Sequence, residues 1–192
     1  MFRRTAGLWG AGAFAGAAVV AAHREPGYSH RRHHVSGLAA RGHRSASIMV
    51  PGFVVLAAAQ AVISSPTPAL RRLTRIAAAT TFAAGAVQVS DPRCPQPDEP
   101  DATAADLGHG AASVVTFGLW AAMPIVAAID QRLGWLARLG RALALPTVVA
   151  FVAAGVTTRR NSSVKGLAQR TYLALVFVFL GASGLAHRDG RA

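Results

Sequence analysis

The chain has 192 residues, of which 52% are hydrophobic and only 15% are charged, with a formal net charge of +12. Soluble domains carry charged residues at about a quarter of their positions, so this composition argues against a soluble globular protein. A nucleic-acid-binding protein would concentrate its basic residues on one folded face. Here the basic residues are distributed over all the connecting segments. We therefore expect no nucleic-acid partner and attribute the charge to anchoring beside anionic lipid headgroups.

Long uncharged stretches recur along the chain. Residues 46–63 and 111–129 contain no Asp, Glu, Lys or Arg, whereas a soluble amphipathic helix needs a polar face. A charged side chain at mid-bilayer costs about 2.5–3.5 kcal/mol on insertion scales, so such stretches are typical of membrane-spanning helices. The sequence predicts an all-α polytopic transmembrane bundle and one domain over residues 1–192. Its six short helices are expected at about 6–22, 46–63, 74–90, 110–129, 142–158 and 170–186.

The first hydrophobic stretch follows a basic start and ends on the small residues 20–22. These features are also those of a cleavable signal peptide, although we favour a retained first helix. Gly12 and Gly16, together with Gly10 and Ala13, form a face of small residues. Such a face predicts close packing against a neighbouring helix.

Two of the later uncharged segments are shorter than a membrane-spanning helix. A helix needs roughly 17–25 residues to cross the hydrocarbon core, and the uncharged segments 76–89 and 142–156 are shorter than that. These helices are therefore expected to extend into flanking threonines. We predict that Pro51 lies in the first turn of helix two, that helix five begins near Pro146, and that residues 130–141 form a short interfacial amphipathic piece.

Counting charges does not decide the orientation in the membrane. If the N-terminus is inside, the inner and outer segments hold ten basic residues each. Arg3 and Arg4 beside the first helix favour an orientation with both termini cytoplasmic. We expect the membrane to be the inner (plasma) membrane. The three polar loops at about 23–44, 90–110 and 158–170 would then form one polar cluster on the outer, extracytoplasmic face.

Histidines are concentrated in the first polar loop. His30, His33 and His34 are weak candidates for a zinc or copper site, because neutral imidazole is a common ligand. Arg31 and Arg32 lie between them and would repel a cation. We therefore favour a solvated basic loop, and we expect no metal and no cofactor.

Two further groups of residue types suggest chemistry. Ser36, His109 and Asp91 could supply the nucleophile, base and orienting group of a membrane-embedded hydrolase, although no nucleophile elbow surrounds Ser36. Ser36 could equally cap a short helix. Asp91, His109 and Arg170 are expected at the mouths of helices three, four and six. An Asp91–Arg170 ion pair would satisfy them without chemistry, and a pocket for a polar or anionic headgroup is the alternative.

The same segments carry a family resemblance. EPGY at 25–28 and VSGLAA at 35–40 resemble the "RPGY…ISeLaa" outer loop of a bacterial six-helix membrane protein family called domain of unknown function 998. DPRCP at 91–95 and GHGAA at 108–112 resemble its "CDPxCP…HgxaA" stretch, and GLAQR at 166–170 is similar to its "GLxQR" entry to the last helix. The resemblance implies six membrane helices and no particular activity.

One position departs from the family pattern. Ser90 stands where the family often has cysteine, so Cys94 cannot form the two-cysteine disulfide or metal pair that relatives could form. The resemblance implies six candidate residues, namely Tyr28, Ser36, Asp91, Cys94, His109 and Arg170.

We therefore expect a non-enzymatic membrane protein whose partner is the lipid bilayer. It would bind a lipid headgroup, a small solute or a protein partner at the outer polar cluster. The expected ligand-binding residues are Tyr28, Ser36, Asp91, His109 and Arg170. A hydrolase using Ser36, His109 and Asp91 is the alternative, and a small permease is a third. The sequence leaves the oligomeric state open.

Overall fold

A computed structural model describes residues 2–91, 93 and 101–186. Over these residues the chain forms six α-helices and two short 3-10 helices, and it has no strand. The elements are α1 (Phe2–Arg24), η1 (Val35–Ala39), α2 (Ala46–Val62), α3 (Pro68–Ala86), α4 (Ala104–Ile129), η2 (Gln131–Leu133), α5 (Trp135–Arg159) and α6 (Lys165–Leu185). The all-α class and the number of long helices are as predicted.

The six α-helices form a closed ring. Each helix packs against the next one along the chain, and α6 packs against α1. Large side chains from most of the helices fill the interior, and all of them are at least nine-tenths buried. They include Phe14, Phe53, Leu56, Trp120, Tyr172 and Phe179. Because the ring closes, each helix has one face towards this core and an opposite face on the outside.

The outside of the ring is apolar. Every α-helix exposes large hydrophobic side chains there, among them Leu8, Val54, Phe82, Val114, Val149 and Val178. An exposed apolar surface of this extent marks contact with lipid or another protein. Four helices, α1, α4, α5 and α6, are long and apolar enough to cross a bilayer. Together these features indicate a helical membrane protein.

The two remaining helices are less typical spans. The apolar helix α2 has 17 residues, and α3 has 19 residues with Arg71, Arg72 and Arg75 among its first eight. These three arginines are exposed, and long basic side chains near a helix end can extend towards the headgroups. Of the six predicted spans, length and composition therefore support four directly.

Main-chain contacts define the two ends of the ring. Ser64 N donates to Arg3 O at 3.1 Å, which places the α2–α3 turn beside the start of α1. At the other end, Arg41 N donates to Val89 O at 2.9 Å and Leu167 N donates to Arg31 O at 3.1 Å. We call this the η1 end, because it carries η1. The other is the opposite end.

Helix boundaries differ from the prediction most clearly at α5. The helix begins at Trp135, so residues 135–141 belong to it and do not form a separate interfacial piece. Pro146 lies inside the helix instead of near its start. The prediction was wrong here because it followed the uncharged residues, whereas the backbone continues helically through exposed Arg138 and Arg141.

In helices α2 and α3 the boundaries also differ from the predicted ones. Pro51 lies in the second turn of α2, not the first. Helix α3 starts at Pro68, after Thr67 accepts a hydrogen bond from Leu70 N at 3.3 Å, and it ends at Ala86. It therefore begins six residues earlier than predicted and ends four residues earlier. The short uncharged segments thus belong to helices of 19 and 25 residues.

The prediction that the glycine face of α1 packs closely against a neighbouring helix is only partly correct. A Cβ on Gly12 or Gly16 would meet nothing within 4 Å, so these glycines face outwards. The close contacts belong to Gly10, which was part of the predicted face, and to Gly7, which was not. A Cβ on Gly10 would overlap Ala59 of α2, and a Cβ on Gly7 would overlap the Leu180 carbonyl oxygen of α6.

Candidate functional site

Residues 25–45, here called the α1–α2 loop, cover the η1 end of the ring. Within the loop, η1 packs against α1, α2 and α6, and Val35, Leu38 and Ala39 are at most 3% exposed. Ser36 lies inside η1, whose N-cap is His34, so Ser36 is not the helix cap that was considered. The loop is therefore a packed part of the fold.

Arg170 in the second turn of α6 holds this loop in place. Its guanidinium donates to the carbonyl oxygens of His30 at 2.7 Å and His33 at 3.0 Å. It also donates to Gly166 O at 2.9 Å and to the Tyr28 hydroxyl. Arginine suits this role because its planar fork carries five donors. Its donors are directed at the loop, and no ion pair joins Arg170 to Asp91 in the described part of the chain.

Neighbouring residues of α6 add to this attachment. Gln169 is buried, and its Oε1 accepts a hydrogen bond from Val35 N at 2.7 Å. Gly166 lies so close to the loop that a Cβ there would be 2.7 Å from His30 O. The Tyr28 hydroxyl, which accepts from Arg170, donates to His34 O at 3.1 Å. The segments at 25–40 and 166–170, recognised separately in the sequence, thus form one interface.

A carboxylate joins the two ends of the α1–α2 loop. Glu25 accepts hydrogen bonds from His43 Nδ1 and from Ser45 Oγ, both at 2.7 Å. Burial acts to raise the pKa of Glu25, but these hydrogen bonds and the nearby His43 lower it below its ordinary value overall. No role was predicted for Glu25, Ser45 or Gln169, because their hydrogen-bond partners are distant along the chain.

His109 is a structural residue in this geometry. It lies in the second turn of α4, is 4% exposed, and its Nδ1 is 2.7 Å from Ala84 O and 3.1 Å from Val87 O. Since both partners are acceptors, Nδ1 carries the proton and satisfies carbonyls at the end of α3. Its Nε2 has no hydrogen-bond partner among the described residues.

In the part of the chain that the structure describes, no hydrogen bond joins the three candidate hydrolase residues to one another. Among the described residues, none links Ser36 to His109, whose ring nitrogens are accounted for above. Asp91 lies five residues beyond the end of α3 and accepts from Arg93 N at 2.7 Å and Arg93 Nε at 2.9 Å. These bonds from Arg93 lower the pKa of Asp91 below its ordinary value, although partial burial opposes the shift. Cys94 lies outside the described residues.

The candidate metal ligands are also held apart by other contacts. His33 Nδ1 accepts from Ser29 N at 3.0 Å, His34 Nε2 is 3.2 Å from Thr158 Oγ1, and His30 packs edge-on against Tyr28. In the described ranges, no three His, Cys, Asp or Glu side chains lie close enough together to hold a metal ion.

The chain matches the family model described as "Protein of unknown function (DUF998)" over residues 8–186. It belongs to the DUF998 family. A search of curated proteins and a search of solved structures each gave no match. The family description names no activity.

Asp106 organises the start of α4 in this DUF998 chain. Its carboxylate accepts from Ser90 N at 2.8 Å, from Ser90 Oγ at 2.6 Å and from Thr103 N at 2.8 Å, and Thr103 Oγ1 completes a capping box. The serine at the position where the family often has cysteine thus has a structural partner. Asp106 was not among the predicted residues, although Thr103 followed three residues later by an acid is a capping signal.

Asp106→Asn is expected to lower the free energy of unfolding by about 2 kcal/mol, because a neutral amide oxygen cannot replace four hydrogen bonds to a carboxylate. Thermal unfolding in detergent would measure the loss. Asp91→Asn is the matched control, since its described partner Arg93 is exposed. This control should change stability by less than about 0.5 kcal/mol. Equal effects of the two variants would contradict the role given to Asp106.

His34 gives the α1–α2 loop a dependence on pH. The residue is 6% exposed, and burial together with the charges of Lys165 and Arg170 lowers its pKa from 6.5 to about 4. The unfolded chain therefore binds this proton at a higher pH than the folded chain. Stability from neutral His34 is fully present above pH 6.5 and is lost as the pH falls towards 4.

Between pH 7 and pH 5 the folded state should lose about 2 kcal/mol from this group. Hydrogen–deuterium exchange at residues 35–41, corrected for the intrinsic pH dependence of exchange, would detect the loosening of the loop. His34→Gln is the control, because it does not titrate and should flatten the corrected profile over this range. An unchanged profile in His34→Gln would show that other groups cause the dependence.

A polar cleft opens beside the α1–α2 loop at the η1 end. Its volume is about 580 Å³. Segments from three parts of the chain line it, with the residues Arg32, His33, Arg93, Asp101, Asn161, Ser162, Ser163 and Lys165. None of the predicted ligand-binding residues is in this lining, because Tyr28 and Arg170 bind the loop and His109 is buried.

Proposed function

We propose that this DUF998 chain is a multi-pass membrane protein that binds an anionic group in the cleft at its η1 end. The anion would be the phosphate of a lipid headgroup or a free phosphate-like solute. The composition of the cleft carries the proposal. Arg32, Arg93 and Lys165 line it against the single described carboxylate of Asp101, and hydroxyl and amide donors lie between them.

The cations in the cleft differ in how strongly they are already paired. Arg93 donates to Asp91 and to Asp101, the latter at 3.0 Å, so much of its charge is neutralised. Lys165 donates to Asn161 Oδ1 at 2.7 Å, and this amide oxygen is a neutral partner and not a carboxylate. Arg32 is exposed. Arginine forks and lysine ammonium groups are the usual ligands of phosphate, so Arg32 and Lys165 are expected to make the main contacts.

The position of the cleft also suits a headgroup. It lies where α5 ends and α6 starts, and both helices are long and apolar enough to cross a bilayer. A basic site at this level attracts anionic lipid with about 1 kcal/mol for each basic residue near the surface. A lipid could therefore bind with its acyl chains against the ring and its phosphate in the cleft.

Native mass spectrometry of the detergent-extracted protein tests this proposal. Phosphatidylglycerol is expected to remain bound more strongly than phosphatidylcholine, and Arg32→Gln with Lys165→Gln should weaken retention about tenfold. Arg71→Gln with Arg72→Gln, at the opposite end, is the matched control. A parallel titration with inorganic phosphate distinguishes a free anion from a lipid headgroup. Equal retention of both lipids and no phosphate binding would overturn the proposal.

We further propose that all six helices span an inner (plasma) membrane, with the η1 end outside and both termini cytoplasmic. The Arg3–Arg4 pair at the start of α1 supports this orientation. A fluorescent protein fused after residue 192 should fold and fluoresce, whereas alkaline phosphatase at the same position should be inactive. The reverse result would place the cleft on the cytoplasmic side.

A further inference from the structure

A second cleft opens at the η1 end, where α1 ends and α2 begins. Its volume is about 500 Å³, and it is lined by Arg24, Arg44 and Ser47. Arg24 is the last residue of α1, and Ser47 lies in the first turn of α2. Ser47 Oγ donates to Arg44 O at 2.9 Å, which fixes Arg44 beside the start of α2. We call this the arginine cleft, and it shares no lining residue with the polar cleft described above.

Glu25 brings the two arginines together. Its carboxylate accepts hydrogen bonds from His43 Nδ1 and from Ser45 Oγ, both at 2.7 Å. Glu25 follows Arg24 directly in the sequence, and His43 and Ser45 stand on either side of Arg44. The two hydrogen bonds therefore hold the backbone at Arg24 beside the backbone at Arg44, although 19 residues separate them in the sequence.

The arginine cleft is positively charged and has no internal counter-ion. Within the part of the chain that the structure describes, neither guanidinium of the cleft makes a hydrogen bond or an ion pair, and no carboxylate lines it. Glu25 is close, but each of its oxygens already accepts a hydrogen bond and its side chain is 10% exposed. Two guanidinium groups with five donors each match the oxygens of a phosphate group.

Exposed apolar residues continue from this cleft along the outside of α1 and α2, which pack against each other. Val20 lies four residues before Arg24 and is 48% exposed. Pro51 lies four residues after Ser47 and is exposed, and Val55, one turn further, is 45% exposed. Residues four apart share one face of a helix. The cleft therefore has an apolar surface next to it on the side that leads towards the middle of the helices.

We propose that the arginine cleft binds the phosphate of an anionic lipid whose acyl chains lie against the outer surface of α1 and α2. Arg24 and Arg44 donate charge-assisted hydrogen bonds to the phosphate. A zwitterionic lipid binds more weakly, because the same two arginines repel its positively charged group. This site is separate from the polar cleft of Arg32 and Lys165 and does not depend on a ligand there.

Native mass spectrometry that counts retained lipids tests the inference. Arg24→Gln with Arg44→Gln should weaken the retention of one phosphatidylglycerol molecule at least about tenfold. The matched control is Arg31→Gln with Arg41→Gln, which removes the same charge from exposed positions of the α1–α2 loop outside both clefts. The control should retain as much lipid as the parent protein.

Repeating the comparison in a protein that also carries Arg32→Gln and Lys165→Gln separates the two clefts. The loss caused by Arg24→Gln with Arg44→Gln should be the same in that background. It is therefore expected even if the polar cleft binds no anion.

A phosphatidylglycerol probe with a photoreactive diazirine in its acyl chain locates the bound lipid. Crosslinks in the peptides that contain Val20 and Pro51 should exceed those of a matched phosphatidylcholine probe, and Arg24→Gln with Arg44→Gln should remove the excess. A titration with inorganic phosphate distinguishes a free anion, and phosphate binding without this excess would overturn the assignment to a lipid. Unchanged lipid retention in the cleft variant, or an equal loss in the control variant, would overturn the inference altogether.

Discussion

Gly7→Val is expected to lower the free energy of unfolding by about 3 kcal/mol or more. A Cβ on Gly7 would overlap the Leu180 carbonyl oxygen and lie 2.8 Å from Ile63 Cδ1. A backbone oxygen cannot rotate away as a side chain can, so α1 and α6 would have to separate. That contact closes the ring, and its loss would expose the interior polar groups to lipid.

The control for this prediction lies on the same helix. Gly12→Val and Gly16→Val add the same side chain where nothing lies within 4 Å. Each should change stability by less than about 1 kcal/mol, mainly through helix propensity. Unfolding by SDS titration in mixed micelles, followed by circular dichroism, would compare the three variants. A Gly7→Val protein as stable as Gly12→Val would show that the closure of the ring is not as tight as described.

Arg170→Gln should release the α1–α2 loop from α6. The variant loses the charge-assisted bonds to His30 O and His33 O, each worth about 1.5–3 kcal/mol. Limited trypsin digestion reports the release, because Arg31 and Arg32 lie in the loop. When cleavage follows the equilibrium population of the open loop, a loss of about 3 kcal/mol accelerates it about 100-fold.

Two further variants separate geometry from charge. Arg170→Lys keeps the charge but not the planar fork, so cleavage should be intermediate. Arg159→Gln removes an exposed arginine from the same end and should leave the rate unchanged. Mass spectrometry of the fragments identifies cuts at Arg31 and Arg32. If Arg170→Gln is cleaved there no faster than the parent protein, Arg170 does not hold the loop.

The hydrogen bonds of Tyr28 and Arg170 give the family motifs a structural role in this chain. The segments around Tyr28 and Arg170 suggested a ligand site when viewed as sequence, but their side chains bind each other and the loop backbone. The motif at 166–170 thus supplies a glycine for close approach, a glutamine for η1 and an arginine for two carbonyls. In this chain these motifs therefore hold the α1–α2 loop in place, and that loop contributes Arg32 and His33 to the polar cleft.

The existence of the helices was predictable because it depends on local composition. Absence of charge over a helix length is a property of the segment alone, so all six helices and the all-α class followed from it. The ends of the helices did not follow from it, because the helical backbone continues through exposed charged residues such as Arg138. The absence of charged residues marks only the uncharged part of each helix and not its full length.

Which residues meet was decided only by the tertiary structure. Gly7 and Gly10 pack while Gly12 and Gly16 face outwards, and the rotation of α1 that separates them depends on α2 and α6. His109 binds the end of α3, and Asp91 binds Arg93 instead of Arg170. The composition of each segment determined that the chain forms apolar helices suited to lipid. The pairing of its buried polar groups came from closing the ring, because a hydrogen bond a few ångströms long depends on the relative placement of segments that are distant in sequence.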